Sequence, residues 1–222
     1  MSEDNNELFP ISTPGEIVLD TIAVISSIAP WLGGPVATIL SGISFDRKIG
    51  RVREVLLETA KAVNDNQSEI SQKYVKSEDF SELLEKTLRQ VAEERSEEKR
   101  LAYAMFLAGD VSSPGTHYDE KLRILRTLEE IQPDHIRILN AMLLPPEKNT
   151  NLTGSIGQTL QKRLPNIPSE RIHDLAQQLT DMKLASLEHI NSMMTTSGAE
   201  KLENYLTPYG KNFIRHISAS RE

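Results

Sequence analysis

Residues 17–45 read IVLDTIAVISSIAPWLGGPVATILSGISF, and Asp20 is the only charged residue among them. As one continuous helix, this stretch would be long enough to span a membrane. The segment Pro-Trp-Leu-Gly-Gly-Pro at 30–35 interrupts it, because proline removes a backbone donor and glycine favours turn conformations. The sequence therefore predicts an apolar helical hairpin, with helices at about 16–29 and 35–45 joined by a tight turn.

The hairpin has two main interpretations. It is either the central core of a helical bundle, apolar on all sides because other helices surround it, or a concealed membrane-active hairpin that a trigger or an oligomer controls. A dimer interface is a third option. At about 1.5 Å per residue, neither arm reaches across a hydrocarbon core of about 30 Å. The residues on which these interpretations depend are Ile28, Trp31, Leu32 and Leu40.

A basic cluster follows the hairpin directly. An amphipathic helix is predicted from 46 to 64, with apolar residues at three- and four-residue spacing. Its first turns carry Arg47, Lys48, Arg51 and Arg53. The cluster is either a solvated helical face or a contact for phospholipid headgroups beside a membrane-inserting hairpin.

The remainder of residues 1–131 repeats the amphipathic pattern. Ser77 is predicted to cap a helix whose apolar face runs from 80 to 92, and further helices are expected up to residue 131. Residues 1–131 therefore form a predicted all-helical domain, built around the hairpin at 16–45. This part carries 15 basic and 23 acidic residues, a net charge of −8.

The pattern changes after Pro133. Helices are predicted at 134–144, 155–164 and 169–182, followed by a short hairpin and a terminal helix at 211–218. This order is that of a winged helix-turn-helix. The predicted fold is thus mostly α, with an N-terminal helical bundle and a small winged helix-turn-helix (α+β) domain at 132–222.

The C-terminal end also carries a resemblance. Residues 205–214, YLTPYGKNFI, resemble the last wing strand and closing helix of bacterial winged-helix modules, and they are similar to the end of the uncharacterised DUF4393-type proteins. The stretches SEDF at 77–80, EEKR at 97–100 and residues 125–139 resemble bacterial helical proteins of unknown function linked to mobile elements. The resemblance implies a fold pairing and carries over no catalytic residue.

A winged helix suggests DNA binding, and the charges oppose it. Residues 132–222 carry 10 basic and 9 acidic residues, a net charge of +1. The candidate recognition helix at 169–183 has more acidic than basic side chains, whereas neutralising phosphates provides most non-specific DNA affinity. The best candidate nucleic-acid contacts are Lys162, Arg163, Arg171 and Gln177.

Composition excludes several classes of site. The 222 residues include no cysteine, which excludes disulfides, thiolate nucleophiles and iron–sulfur clusters and fits a reducing compartment. No phosphate-binding glycine loop, nucleophile elbow or HExxH motif is present. The net charge of −7 argues against a globally basic nucleic-acid binder.

These observations favour a non-enzymatic interaction or effector protein of bacterial mobile-element or defence type, with a membrane-associating state of the hairpin as an option. We expect no cofactor, no metal and no small-molecule substrate. A protein partner or self-association is expected, in the cytoplasm or at the periphery of the inner membrane. The alternative is a DNA-binding winged-helix regulator with an N-terminal sensing or dimerisation domain.

Overall fold

The computed structural model describes residues 14–40, 42, 46–65, 70–112, 115–146 and 153–218. Within these residues the chain is mostly helical and has one small two-stranded sheet, which confirms the mostly α prediction. The elements are α1 (Pro14–Ile28), α2 (Pro30–Leu40), α3 (Asp46–Asp65), α4 (Gln72–Val75), α5 (Glu78–Glu93), α6 (Glu97–Ser112), α7 (Tyr118–Glu130), α8 (Pro133–Met142), β1 (Thr153–Gly154), α9 (Ile156–Arg163), α10 (Ser169–Asp181), β2 (Met194–Thr195), α11 (Thr196–Glu200), a 3₁₀ helix (Leu202–Tyr205) and α12 (Pro208–Ile217).

The apolar stretch forms two adjacent helices, but its break differs from the predicted one. The helices part at Ala29, and Pro30 is the first residue of α2. The predicted turn at 30–35 is therefore wrong, because a proline at the first helical position leaves no hydrogen bond unmade and its fixed φ suits a helix start. The second helix ends at Leu40. In the remainder of its predicted span, residue 42 is described, whereas residues 41 and 43–45 lie outside the described residues.

One face of the hairpin belongs to the core. Ile25, Leu32 and Leu40 are fully buried, and α1 and α2 pack against α3 and α5. The opposite face is open, since Leu19 is 68% exposed and Ile28 is 44% exposed. Within the described part of the chain this face is exposed, which contradicts the expectation that other helices surround the hairpin on all sides.

Introducing an ionised carboxylate at Leu40 tests this packing. Leu40→Asp is expected to unfold the protein at room temperature, because Leu40 is fully buried within the hydrophobic core. Circular dichroism in urea measures the effect. Leu19→Asp, at an exposed position of α1, is the matched control and is expected to remain folded. A folded Leu40→Asp protein would contradict the core placement.

The central bundle consists of α3, α5, α6 and α7. The predicted stripe of α5 is confirmed, since every one of its apolar residues is buried and the Ser77 hydroxyl accepts a hydrogen bond from the backbone N–H of Phe80 at 3.2 Å. The next helix starts afresh at Glu97, where the Ser96 hydroxyl accepts from the N–H of Lys99. The sequence also predicts a short helix at about 68–76. Its first two residues, 68 and 69, lie outside the described residues, and α4 occupies part of the remainder.

The small sheet has a connectivity that the sequence did not predict. Strand β1 precedes α9 and pairs antiparallel with β2, which follows α10, so that Thr153 lies opposite Thr195. Ala185 forms an isolated bridge with Leu206. Strands β1 and β2 therefore do not form the short hairpin that was expected after the third helix. They are instead separated in sequence by α9 and α10.

The last helix joins the C-terminal part to the central bundle. Helix α12 packs against α6, and the buried core is continuous from α1 to α12. A Cβ at Gly210 would overlap the carbonyl group of Leu184. The start of α12 therefore lies so close to the backbone of Leu184 that only glycine fits at position 210. The residues on either side of the predicted boundary at 131/132 thus share one hydrophobic core.

Candidate interaction groove

A groove of about 720 Å³ opens between α3, α6 and α8. Helix α3 buries Val52 and Leu56 on its inner face, which turns its glutamates outward. The first turns of α6 contribute the second wall, and α8 closes one end. The lining residues are Glu54, Val55, Glu58, Glu97, Glu98, Arg100, Leu101 and Arg137.

Two arginines bridge the walls of this groove. Arg100 donates to both carboxylate oxygens of Glu54, at 3.0 and 3.1 Å, and to the carbonyl of Arg95 at 2.8 Å. Arg137 donates to Glu98 at 2.9 Å and to Asp134 at 3.0 Å. The two-oxygen pair of Arg100 with Glu54 holds both side chains in defined orientations.

An apolar side chain lies between the two pairs. Leu101 is 48% exposed, although it belongs to a helix whose other apolar residues are mostly buried. Glu97 is exposed beside it, and a carboxylate oxygen of Glu58 lies 3.9 Å from the Lys61 ammonium. The lining therefore carries four carboxylates and two guanidinium groups.

The hairpin residues singled out from the sequence do not lie together. Leu32 and Leu40 are buried, whereas Ile28 is exposed. Trp31 is half-buried, and its ring centroid lies 6.1 Å from that of Phe80 on α5. Trp31 is thus packed against the bundle.

The basic cluster of α3 is partly engaged within the protein. Lys48 pairs with Glu93, and Arg51 donates at 2.9 Å to the carbonyl of Ala92 near the C-terminus of α5. Arg53 is half-buried and Arg47 is exposed. Two of the four predicted headgroup contacts therefore join α3 to α5.

Arg163 is not a phosphate contact. Its side chain is 2% exposed and donates to the carbonyl groups of Ala141, Leu144, Pro145 and Glu200, at 2.7 to 3.2 Å. The prediction of Arg163 as a nucleic-acid contact is wrong, because its side chain lies on the inner stripe of α9 that also contains Ile156 and Leu160.

The other nucleic-acid candidates are also placed by the structure. Lys162 is exposed. Arg171 donates to the side chain of Gln132 and lies 3.7 Å from Asp134. Gln177 donates to Asp181 at 2.9 Å. The structure thus brings no basic cluster together from these residues.

Sequence reasoning missed a buried polar cluster below α4. Lys121 and Asp110 form an ion pair of 2.6 Å, with side chains 2% and 0% exposed. Tyr74 donates to both Asp110 oxygens at 2.8 and 2.9 Å and accepts from Lys121 at 2.8 Å. A signal existed in the sequence, because Lys121 shares the helical stripe of Leu125 and Leu128, where a charge implies a buried partner.

The chemistry of this cluster is that of a fixed network. Burial, together with the neighbouring Asp110 carboxylate, raises the pKa of the Tyr74 hydroxyl far above its usual range. Tyr74 therefore keeps its proton and does not act as a base. Within the described residues, no group of three or more histidines and carboxylates could hold a metal ion.

His135, at the start of α8, makes a pH-dependent contribution to the stability of the fold. It is 1% exposed, and its Nδ1 accepts from the N–H of Gln132 at 2.9 Å. Burial, and then the nearby Arg171 guanidinium, lower the pKa of His135 below its usual range, while Lys99 acts in the same direction and Asp134 in the opposite one. His135 is therefore neutral in the folded protein at neutral pH.

Stability is expected to fall on mild acidification because of His135. A histidine with a lowered folded pKa stabilises the fold above the unfolded pKa of about 6.5, and that stability is lost as the pH falls below it. His135→Gln keeps an acceptor at this capping position and is expected to reduce the loss of unfolding free energy between pH 7.5 and 5.5. His189→Gln, at an exposed position, is the control. Equal pH profiles for wild type and His135→Gln would contradict this role.

Comparison of the chain with protein families, curated proteins and solved structures found no match.

Proposed function

We propose that the protein is a non-enzymatic interaction protein, of bacterial mobile-element or defence type, that binds a partner protein in the groove between α3, α6 and α8. The observation that carries the proposal is the exposure of Leu101 between two arginine–carboxylate pairs. An apolar anchor inside a polar rim is the usual anatomy of a protein-binding surface.

The charges of the groove favour a particular partner chemistry. Four carboxylates face two guanidinium groups, and residues 1–131 as a whole carry a net charge of −8. A complementary segment would carry lysine or arginine side chains around one apolar side chain, which would pack on Leu101. The attraction would speed association and weaken as salt is added.

The winged-helix regulator remains the second candidate. It is supported by the order of α8, β1, α9, α10 and β2, which resembles the three helices and first two strands of a winged helix, although the described strands do not form the wing hairpin. DNA binding is less well supported, because Arg163 is buried and Arg171 and Gln177 contact neighbouring side chains. We expect no specific DNA complex at physiological salt, and a mobility-shift experiment tests this expectation.

The membrane-associating hairpin is also less well supported. The outer face of α1 exposes Asp20 and Glu16 beside Leu19, which an anionic lipid surface would repel. Among the described residues, no helix combines the length and the apolar character needed to cross a membrane. A cytoplasmic location remains part of the proposal, favoured by the absence of cysteine.

The charge of the groove can be tested with a defined probe. A fluorescent amphipathic peptide of leucine and lysine is expected to bind the wild-type protein, with an affinity that falls as salt rises. The double variant Glu58→Lys, Glu97→Lys is expected to bind it about tenfold more weakly or worse, because two attractive charges become repulsive. Fluorescence anisotropy measures the affinity. A peptide of leucine and glutamate, which carries the opposite charge, is the control probe.

The control variant places a reversed charge elsewhere. Glu85→Lys, on the exposed face of α5, changes the net charge without touching the groove. Leu101→Ser removes the apolar anchor at constant charge and is expected to weaken binding as well. If Glu85→Lys lowered the affinity for the peptide as much as Glu58→Lys or Glu97→Lys alone, the attraction would be non-specific and the proposal would be contradicted.

A further inference from the structure

The interaction groove is joined to a buried histidine through the first turns of α8. Arg137 is the residue of α8 that lines the groove, and it lies two positions after His135 in this helix. Its guanidinium pairs with Glu98 of α6 and with Asp134, the residue next to His135. The position of this wall of the groove therefore depends on how firmly the start of α8 is held.

The start of α8 is held by the neutral form of His135. The Nδ1 atom accepts a hydrogen bond from the backbone N–H of Gln132 at 2.9 Å, as the third residue of a helix does in a capping box. That nitrogen can accept only while it carries no proton of its own. The proton of the neutral ring is then on Nε2, which is buried and makes no hydrogen bond of normal geometry to any described residue.

Protonation of His135 removes this cap. The charged ring carries a donor at both nitrogens, so that its Nδ1–H would face the N–H of Gln132 with no acceptor between them. The new charge would also lie at the N-terminal end of α8, where the helix dipole disfavours a cation. His135 is 1% exposed, so water cannot replace the lost acceptor unless the first turn of α8 moves.

Two cations face His135 from neighbouring helices. Burial of the ring, then Arg171 of α10, and more weakly Lys99 of α6 lower the pKa of His135, so the cap is formed at neutral pH. Lys99 is itself paired with the Glu94 carboxylate at 3.2 Å. The third helix that packs on α8 is α9, and its Arg163 contacts the opposite, C-terminal end of α8.

One carboxylate connects the charge of His135 to the groove. Asp134 favours the protonated ring, as does the side chain of Gln178 on α10. Asp134 is already engaged, since it accepts from Arg137 at 3.0 Å and lies 3.7 Å from Arg171. A charged ring would compete with Arg137 for this carboxylate. Protonation of His135 thus acts on the groove wall both through the cap and through Asp134.

We propose that His135 makes partner binding in the interaction groove dependent on pH: its protonation loosens the first turn of α8, displaces Arg137 and weakens binding. This inference rests on the proposed function. Binding weakens because part of the binding free energy then goes into reordering the α8 wall. By linkage, a bound partner makes His135 harder to protonate.

The leucine–lysine peptide tests this dependence on the full chain by fluorescence anisotropy at pH 7.5 and 5.0. The wild type is expected to bind about fivefold more weakly at pH 5.0, or worse. His135→Gln keeps an acceptor that does not titrate and is expected to bind almost equally at both values. None of the groove-lining residues is a histidine, and carboxylates stay mostly ionised at pH 5.0. Circular dichroism verifies that both proteins are folded at each pH.

Two further variants make the test specific. Arg171→Gln removes one of the cations that face His135 and is expected to move the midpoint of the affinity change to higher pH, where the fold is most secure. His189→Gln, at an exposed position, is the control and is expected to follow the wild type. Hydrogen exchange of the α8 amides at pH 5.0 needs no partner, and it is expected to be faster in the wild type than in His135→Gln.

These measurements separate the pH dependence from the proposed function. Absence of peptide binding at pH 7.5 would contradict the proposed function, and the exchange of α8 would then decide whether His135 controls this helix. A loss of affinity at pH 5.0 that is equal in the wild type and in His135→Gln would overturn the inference, because groove carboxylates would then explain it. Equal exchange of α8 in these two proteins would also overturn it.

Discussion

Replacing Asp110 by alanine is expected to destabilise the protein by about 3–5 kcal/mol, because it leaves the Lys121 ammonium buried without its counter-ion. The two side chains are 0% and 2% exposed, so water cannot replace the lost partner. Tyr74 loses its acceptor in the same step. Urea unfolding followed by circular dichroism measures the effect as a lower midpoint.

Two comparisons separate the loss of the ion pair from a general effect of substitution. Glu85→Ala breaks the exposed pair with Arg89 and is expected to cost about 0–1 kcal/mol. The double variant Asp110→Leu, Lys121→Met removes both charges and is expected to recover much of the lost stability. A double variant less stable than Asp110→Ala would contradict the view that the uncompensated charge is the main cost.

Arg163→Ala is expected to have an effect of similar size, about 3–5 kcal/mol. The guanidinium lies 3.7 Å from the Glu200 carboxylate, and its hydrogen bonds join α9 to the end of α8 and to α11. The alanine variant removes all of these hydrogen bonds and the positive charge beside the Glu200 carboxylate. Thermal unfolding and urea unfolding would both show the loss.

The neighbouring residue gives the matched control. Lys162→Ala removes the same charge one position earlier, at an exposed site, and is expected to change the free energy of unfolding by no more than about 0.5 kcal/mol. If Lys162→Ala and Arg163→Ala were equally mild, Arg163 would be a surface residue after all and the observed placement would be refuted.

Helical periodicity predicted most of the elements, because amphipathic stripes bury one face of each helix. The stripe of α5 and the cap at Ser77 follow directly from residues close in sequence. The predicted turn of the hairpin was wrong, because Pro30 suits the start of a helix as well as a turn. The sheet was misplaced because strands of two residues carry no alternation that a sequence could reveal.

The functional surfaces depend on contacts between residues far apart in the chain. Glu97 and Glu98 lie in the first turn of α6, and they line a groove because α3 and α8 pack against that helix. Lys121 and Arg163 lie on the buried stripes of α7 and α9, a signal that the sequence contained and that its interpretation missed. Their partners could not be identified, because Asp110 and Glu200 lie on other helices.

Photo-crosslinking in cells of the native host tests the central claim, that the groove binds a partner protein. A photoreactive phenylalanine analogue at Leu101 is compared with the same analogue at Arg89, which is exposed on α5. We predict one discrete crosslinked product from Leu101, absent from Arg89 and lost when Glu58→Lys and Glu97→Lys are added. No product from Leu101, or the same products from both positions, would contradict the claim.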